Sequence, residues 1–417
     1  MTTTARPAKG RRLRTAAVGV FVSAAAIVVQ QAVYRAAFSP RHRTDFTVYT
    51  AAGRIFIEGG DVYSAVNERG WAFNGLPALA AAFAPFAVLD VAAGAGIFAI
   101  LSIVLVVLAL RAWTPLFPAD ARAAVLTAAA LIVLGPFLSA VVRGQPSVPG
   151  LALAVLGLAL HARGMPARGG LCLAAATVVK LFPIAWIVML AFQGRGRTAA
   201  YGAGFLLLFL LLPAARSGFA GNFDALRRCA EVSRTADLPG SADPGRYAHT
   251  LDPRLDRNQS LETVLLRIAL PAERLAIGDP AEMRLRTVAR AGVVLWLIAA
   301  LFLGRRLYAA GNPGFAAALL ALPVIAASPV AWSHYFLGAA PTGAALGALL
   351  RGRSKKAALC GLSATILLPL LGHAWTPLKV YGATFFGGAA GWAVLVWILG
   401  RERSSTTAGG RPPGTEA

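Results

Sequence analysis

Ten stretches of mostly apolar residues, each close to the length that crosses a bilayer, leave few folds open to this chain. They lie near 14–34, 91–110, 122–141, 146–162, 198–213, 285–304, 313–329, 334–350, 356–371 and 381–399. A transmembrane helix needs about 20 such residues, and inside hydrocarbon every backbone polar group must find its partner within the protein. The chain therefore reads as an all-α polytopic membrane protein with about ten full transmembrane helices. Composition agrees: 57% of the 417 residues are hydrophobic and 14% charged, with a mean hydropathy of +0.64, whereas soluble domains carry roughly 25% charged residues. Lys9-Gly10-Arg11-Arg12 ahead of the first run is signal-like. The apolar part, Thr15 to Val33, nevertheless exceeds the ~7–15 residues of a signal core, and it reads as a retained anchor.

A net charge of +22 would suggest a nucleic-acid partner in a soluble protein. Here it reports orientation. With the N-terminus in the cytoplasm, the cytoplasmic segments hold 20 basic and three acidic residues, and the short outer loops hold far fewer basic ones, as the positive-inside rule requires. The excess is a topology signal and a contact for anionic lipid of the bilayer, so no nucleic-acid partner is expected. Both termini then lie in the cytoplasm of an inner or plasma membrane protein. Residues 1–13 form a tail, 14–400 a single transmembrane domain with extracytoplasmic loops at 35–90 and 214–284, and 401–417 a disordered Ser/Thr/Gly/Pro-rich tail. Cys172, Cys229 and Cys360 have no metal-like spacing, which excludes a disulfide scaffold and a structural zinc site.

Arginines in both 163–168 and 195–197 place both segments in the cytoplasm, yet 169–191 is long enough for one crossing only. Either the chain enters and returns, or it forms one tilted helix kinked at Pro183 with a snorkelling Lys180. In the first case two half-helices of about 11 residues, ~16 Å each, meet near the bilayer midplane in Val179-Lys180-Leu181-Phe182-Pro183. An intramembrane lysine points to function, and the start of the second half-helix would offer free N–H groups and positive dipole to an anion. A similar break at Ser328-Pro329 precedes Trp332-Ser333-His334 at the outer mouth.

The first outer loop begins DFTVYTAAGRIFIEGGDVY at Asp45. Asp45, Tyr49, Ala52 and Phe56 recur at helical spacing and predict an interfacial helix with an aromatic face. A second membrane-lying helix follows, over the stretch from Pro77 to Leu89. Asp45 has two readings at this point: an N-cap for the turn starting at Phe46, or a catalytic carboxylate.

Six blocks taken in order carry a resemblance from about Asp45 to Trp397. They are the Asp45 block, FNGLPALAAAFAPFAVL from Phe73, RGQPSVPGLAL from Arg143, AAATVVKLFPIAWIVML from Ala174, NQSLETVLLR from Asn258 and SPVAWSHYF from Ser328. Together they resemble glycosyltransferase family 87, a polyprenol-phosphate-sugar-dependent family of the C-type glycosyltransferases. The resemblance implies a multi-helix C-type bundle with its active-site loops outside the cytoplasm. It also implies Asp45 as catalytic base and Lys180 and His334 around the donor phosphate. Arg143, Gln145, Asn258 and Gln259 fall on polar family positions and are assigned to substrate binding, as is Tyr49 on the Asp45 face. Asn74-Gly75-Leu76-Pro77 departs from the aromatic-Pro or Pro-Pro pattern common in the family, which leaves the sugar or acceptor preference open.

The implied donor is a hexose on a polyprenyl phosphate, with mannose the expected sugar, and the implied acceptor is a lipid or glycan hydroxyl. Glu58 lies thirteen residues after Asp45, about 220° around a continuous helix, and points away from it. Asp61 follows two glycines and is not placed by sequence. A single-base inverting displacement therefore fits better than a double displacement, and a β-linked mannosyl phosphate would yield an α-mannoside. With no DxD or paired-carboxylate motif in the first loop, neither a metal nor another cofactor is expected. His42, His161, His249 and His373 are read as uninvolved, with His161 a cation suited to a helix C-terminus. Two other readings compete: a lipid or solute transporter or flippase, since broken helices also mark transporters, and an undecaprenyl-linked glycan ligase. The long amphipathic first outer loop bearing one acidic residue, Asp45, on its helical face and the absence of an evident repeat favour an enzyme.

Overall fold

The computed structural model describes residues 26–27, 29–41, 43–235, 252–256, 258–275, 279–328 and 331–408, leaving aside the side chains of 134–136, 232–235, 333–334 and 402–408. Among these residues the fold is helical, with two isolated β-bridges (Val66 with Ala72, Asn258 with Trp332) and no strand. The first half comprises α1 (29–38), α2 (Thr44–Glu58), α3 (Pro77–Ala87), α4 (Val91–Trp113), α5 (Arg122–Arg143), α6 (Ser147–Ala162), α7 (Pro166–Val179), α8 (Ile184–Phe192), α9 (Gly196–Leu211) and α10 (Ala214–Thr235). The second half comprises α11 (Leu261–Ala269), α12 (Pro280–Ala309), α13 (Pro313–Ala327), a 3-10 segment Ser333–Ala339, α14 (Ala340–Leu349), α15 (Lys355–Ala374), α16 (Thr376–Val380) and α17 (Ala383–Ala408). Local chemistry sets several starts. The Asp90 carboxylate accepts from Ala92 and Ala93 N–H at 2.9 and 3.2 Å, and Ser260 Oγ accepts from Thr263 N–H at 3.2 Å. Asp279 accepts from Ala281 N–H at 2.8 Å with Pro280 behind it, the cap-then-proline order that suits a helix N-terminus.

The chain is an integral membrane protein, but its helices do not all match the ten runs in length. Among the described residues, four are long and apolar enough to cross alone: Val91–Leu116, Pro280–Ala309, Lys355–Ala374 and Ala383–Arg401. Two bent pairs can serve as further spans, Ala119–Val133 with Phe137–Arg143 at 54° and Gly196–Leu211 with Ala214–Glu231 at 97°. The runs expected at 146–162, 313–329 and 334–350 form shorter apolar helices, Ser147–Ala162, Pro313–Ala327 and Tyr335–Leu349. Sixteen residues extend only ~24 Å, against ~30 Å of hydrocarbon, and α13 and α14 are buried along almost their whole length. Their hydrophobicity therefore reports burial among neighbouring helices as much as contact with lipid. The run at 14–34 lies mostly outside the described residues. The segment after Gly400, expected to lack structure, continues α17 as helix through Ala408, because an established helix propagates at little cost per residue.

The chain between the two arginine turns folds back on itself. A Cβ on Gly150 would sit 2.8 Å from Val179, and one on Gly157 would sit 3.0 Å from the Gly169 carbonyl oxygen, so α7 runs antiparallel to α6. A Cβ on Gly170 would meet Gly202 N at 2.6 Å. Small residues thus let α7 lie directly against α6 and α9, as they do in membrane helix packing. Beyond α8, Arg195 stacks on Tyr308 at 3.6 Å, and the Tyr308 hydroxyl reaches the His161 carbonyl at 3.5 Å. Both arginine turns therefore lie at one end of the bundle, with Lys180–Pro183 at the hairpin's tip. The arms are unequal, 14 and nine residues, and the tip is level with the first turn of α6, further along the bundle than two equal half-helices would reach.

Two apolar clusters meet at that level. The larger fills the bundle around Leu158, Leu173, Trp186, Leu319 and Leu346. The smaller joins the first loop to α4, where Phe46, Tyr49, Phe73 and Phe83 of the loop and Phe98 of α4 form a chain of ring contacts 5.2–6.2 Å apart.

Candidate active site

Asp45 sits in the first turn of α2, and the start of that helix is held from several sides. Asn67 Nδ2 donates to the Thr44 carbonyl at 2.7 Å, and Arg43 donates to the Ala37 carbonyl at 2.9 Å. The N-cap residue is Arg43, with no side-chain cap bond, so Asp45 lies two positions too far along to cap the helix. Its carboxylate is free for another task, and the positive end of the α2 dipole favours its charge.

The turn between α5 and α6 presents itself to this carboxylate. Gly144 ends α5 with φ +67°, a conformation that suits glycine. A Cβ there would stand 2.5 Å from Phe46 Cβ, so only glycine lets the turn lie against α2. That approach places Arg143 as a charged neighbour of Asp45 and Gln145 as its hydrogen-bond partner. Gln145 is itself fixed, its N–H bonding the Ala140 carbonyl at 3.0 Å and its Oε1 accepting from Ser147 Oγ at 3.4 Å.

Lys180 arrives from the hairpin tip. It leaves α7 in extended conformation (φ −148°, ψ 137°), its N–H bonding the Ala176 carbonyl at 3.0 Å. Its ammonium pairs with the hydroxyls of Tyr49 and Tyr335 and lies within electrostatic reach of Asp45. Tyr335 is buried in the 3-10 segment, stacked on Phe182 of the tip at 5.4 Å. The first N–H groups of α8 are not available to an anion as expected. Ile184, Ala185 and Trp186 donate to the carbonyls of Leu181, Phe182 and Pro183 at 3.0–3.1 Å, because Pro183 opens the helix through a tight turn.

Four chain segments far apart in sequence therefore bring Asp45, Tyr49, Arg143, Gln145 and Lys180 together, with Tyr335 as the member that sequence reasoning missed. The hint lay beside His334 in SPVAWSHYF, since a tyrosine in a buried apolar run needs a partner for its hydroxyl. The His334 side chain lies outside the described residues. Asn258 and Gln259 are not among the neighbours of Asp45 or Lys180 and sit in a network of their own. Asn258 Oδ1 accepts from Ser260 and Ala331 N–H at 3.1 Å each, and Gln259 Nε2 donates to the Asp256 and Lys379 carbonyls at 2.7 and 2.8 Å. Both are buried in a clamp joining the second loop to the 331–332 and 379 segments, which braces the segment leading to Tyr335. Glu58 is exposed, and Asp61 accepts from Tyr63 N–H and pairs with Arg228. His161 lies in the last turn of α6, as expected, and is buried there with Nδ1 2.8 Å from Thr198 Oγ1. His42 and His249 lie outside the described residues.

Burial pushes the Asp45 carboxyl above its ordinary range, against the opposing pull of Arg143 and Lys180 and of hydrogen bonds from Gln145 and Thr44. A carboxylate made more basic in this way, beside two cations that can hold a phosphate, can take a proton while a neighbouring anion is stabilised. Both charged neighbours of Asp45 are cations, which leaves it the only acid in the group.

A family model described as glycosyltransferase family 87 matches residues 76–329. That interval contains Arg143, Gln145 and Lys180, while Asp45, Tyr49 and Tyr335 flank it. Over 387 residues, covering 86% of this chain and 83% of the relative, the chain is 26% identical to a polyprenol-phosphate-mannose-dependent alpha-(1-2)-phosphatidylinositol mannoside mannosyltransferase of Mycobacterium tuberculosis. No solved structure matches the chain.

Proposed function

The chain belongs to glycosyltransferase family 87, and on that premise we propose that it moves mannose from a polyprenyl phosphate to a hydroxyl of a lipid or glycan acceptor at the extracytoplasmic face, with inversion. It is a membrane-embedded polyprenol-phosphate-sugar-dependent glycosyltransferase. The observation that carries the finer reading is the convergence of Arg143, Gln145 and Lys180 on Asp45. Asp45 accepts the acceptor hydroxyl's proton as the new O–C1 bond forms and the C1–O bond to phosphate breaks. The leaving phosphate departs between Lys180 and Arg143, with His334 of the same outer mouth as a further contact, and no general acid is needed.

Charge supports this assignment. The donor phosphodiester carries one negative charge, and Asp45 with the two cations adds a net positive one, so the loaded site is neutral. After transfer Asp45 is protonated and the released phosphate monoester carries nearly two negative charges, which leaves the site neutral again. Neutrality on both sides of the reaction matters where solvation is poor. A second carboxylate nucleophile would break this balance, which favours single displacement. The positively charged ends of the bundle support cytoplasmic termini, one transmembrane unit over 14–400, and a hairpin that enters and leaves from the cytoplasmic face.

Labelled polyprenyl-phosphate mannose supplied with a lipid extract to membranes containing the protein should yield a labelled product that is lost in Asp45→Ala. Undiminished transfer by that variant would remove Asp45 as base, and transfer of a different hexose alone would replace mannose as the sugar.

A further inference from the structure

The end of the bundle opposite Asp45 holds a second polar cluster that sugar transfer does not use. His161 closes α6, Gln193 and Arg195 follow α8, Thr198 opens α9, and Tyr308 lies near the end of α12. The Arg195 guanidinium lies over the Tyr308 ring at 3.6 Å, the His161 ring is 5.4 Å from that of Tyr308, and His161 Nδ1 is 2.8 Å from Thr198 Oγ1. Gln193 reaches the same corner, since a Cβ on Gly304, one turn before Tyr308, would be 2.5 Å from its Nε2.

His161 Nε2, Gln193 Nε2 and Arg195 Nε are buried and have no hydrogen-bond partner among the described residues. The first two belong to side chains only 5% exposed. Orphaned buried donors cost about 1–3 kcal/mol each, so three in one corner indicate an absent acceptor. When the Thr198 hydroxyl donates to Nδ1, His161 Nε2 carries its proton outward and all three are N–H donors. One water accepts from two donors at most and would leave Arg195 without a counter-charge. Carboxylates do not supply one either. Residues 160–198 and 300–312 contain Arg163, Arg168, Arg195, Arg197, Arg305 and Arg306 and no Asp or Glu, and none of the six forms an ion pair among the described residues.

We propose that this corner binds a phosphate group, supplied by the headgroup of an anionic phospholipid. The phosphate oxygens accept from the three inner N–H groups, and the exposed arginines form the rim at headgroup level, where basic residues attract anionic lipid. The acyl chains lie along the apolar outer faces of α8 and α9, whose Val188, Phe192 and Leu207 are exposed. Because Gln193 and Arg195 end the hairpin whose tip carries Lys180, the lipid fastens the hairpin's base.

The test is thermal unfolding of the purified full chain in detergent with dioctanoyl phosphatidylglycerol, dioctanoyl phosphatidylcholine or inorganic phosphate. A ligand that binds only the folded state raises Tm. The expected result is a saturable rise of a few degrees with phosphatidylglycerol, little with phosphatidylcholine, and loss of most of the rise in Arg195→Met and in Gln193→Leu. Gln193→Leu removes an unpaired amide in favour of an apolar side chain, so it keeps its own Tm while losing the lipid response, which covers the case in which Arg195→Met does not fold. An equal rise with inorganic phosphate at the same concentration would overturn the lipid as occupant. No rise, or an undiminished rise in Gln193→Leu, would overturn the site. None of these readouts depends on sugar transfer.

Discussion

Asp45 is held two positions past the N-cap of a helix that does not use it as a cap, so its carboxylate faces Arg143, Gln145 and Lys180 instead. Replacing it with asparagine preserves shape and hydrogen bonding while removing the base. Asp45→Asn should lower kcat by about 10²–10⁴-fold with an unchanged unfolding temperature, measured by transfer of labelled sugar and by thermal unfolding. The pH dependence has a definite sign. The base acts when deprotonated, so the rate falls as pH drops through the Asp45 pKa, which burial holds above the ordinary carboxylate range. Arg143 opposes that rise, so Arg143→Gln should move the acid limb of kcat/KM to higher pH; a limb that stays in place would detach Arg143 from Asp45. Lys180 and Tyr335 call for a different readout. Lys180→Met should raise the donor KM strongly, and Tyr335→Phe should raise it less, since Tyr49 still pairs with the ammonium. Asp45 and Lys180 stood out in the sequence because charge is rare in such a chain. Tyr335 did not, because a tyrosine in an apolar run also fits an ordinary core.

At the scale of elements, the site depends on close approaches that side chains elsewhere would block. Gly144 combines φ +67° with a Cβ position 2.5 Å from Phe46 Cβ. Gly144→Ala should cost about 1–3 kcal/mol through backbone strain, and it should also withdraw Gln145 from Asp45, so activity falls further than stability. Full activity in a folded Gly144→Ala protein would show that the turn can move without loss. The RGQP block signalled a polar cluster, but nothing local revealed that its glycine is a contact surface for α2. The hairpin was legible as a conflict between two arginine turns and one crossing length. Its unequal arms were not, because they follow from how far the small-residue face of α7 can lie against α6 and α9, a matter of packing across helices. The same limit applied to Asn258 and Gln259: nothing in their block revealed that they bond across to Ala331 and Lys379.

For the whole molecule, the distribution of charge makes a topological prediction. In a background without the native cysteines, Arg168→Cys and Arg197→Cys should both react with a membrane-impermeant maleimide from the cytoplasmic side, and Glu68→Cys from the opposite side. Labelling of the first two from opposite sides would convert the hairpin into a kinked span. By itself the sequence determined the solvent of this protein and its helical class, because hydropathy is a sum over residues and needs no coordinates. Only the tertiary structure decided which of the polar residues meet, which apolar runs are lined by other helices rather than lipid, and that Tyr335 joins the lysine. The physical reason is that these depend on contacts between segments far apart in the sequence, and their distances are set by the close packing of small residues along the intervening helices.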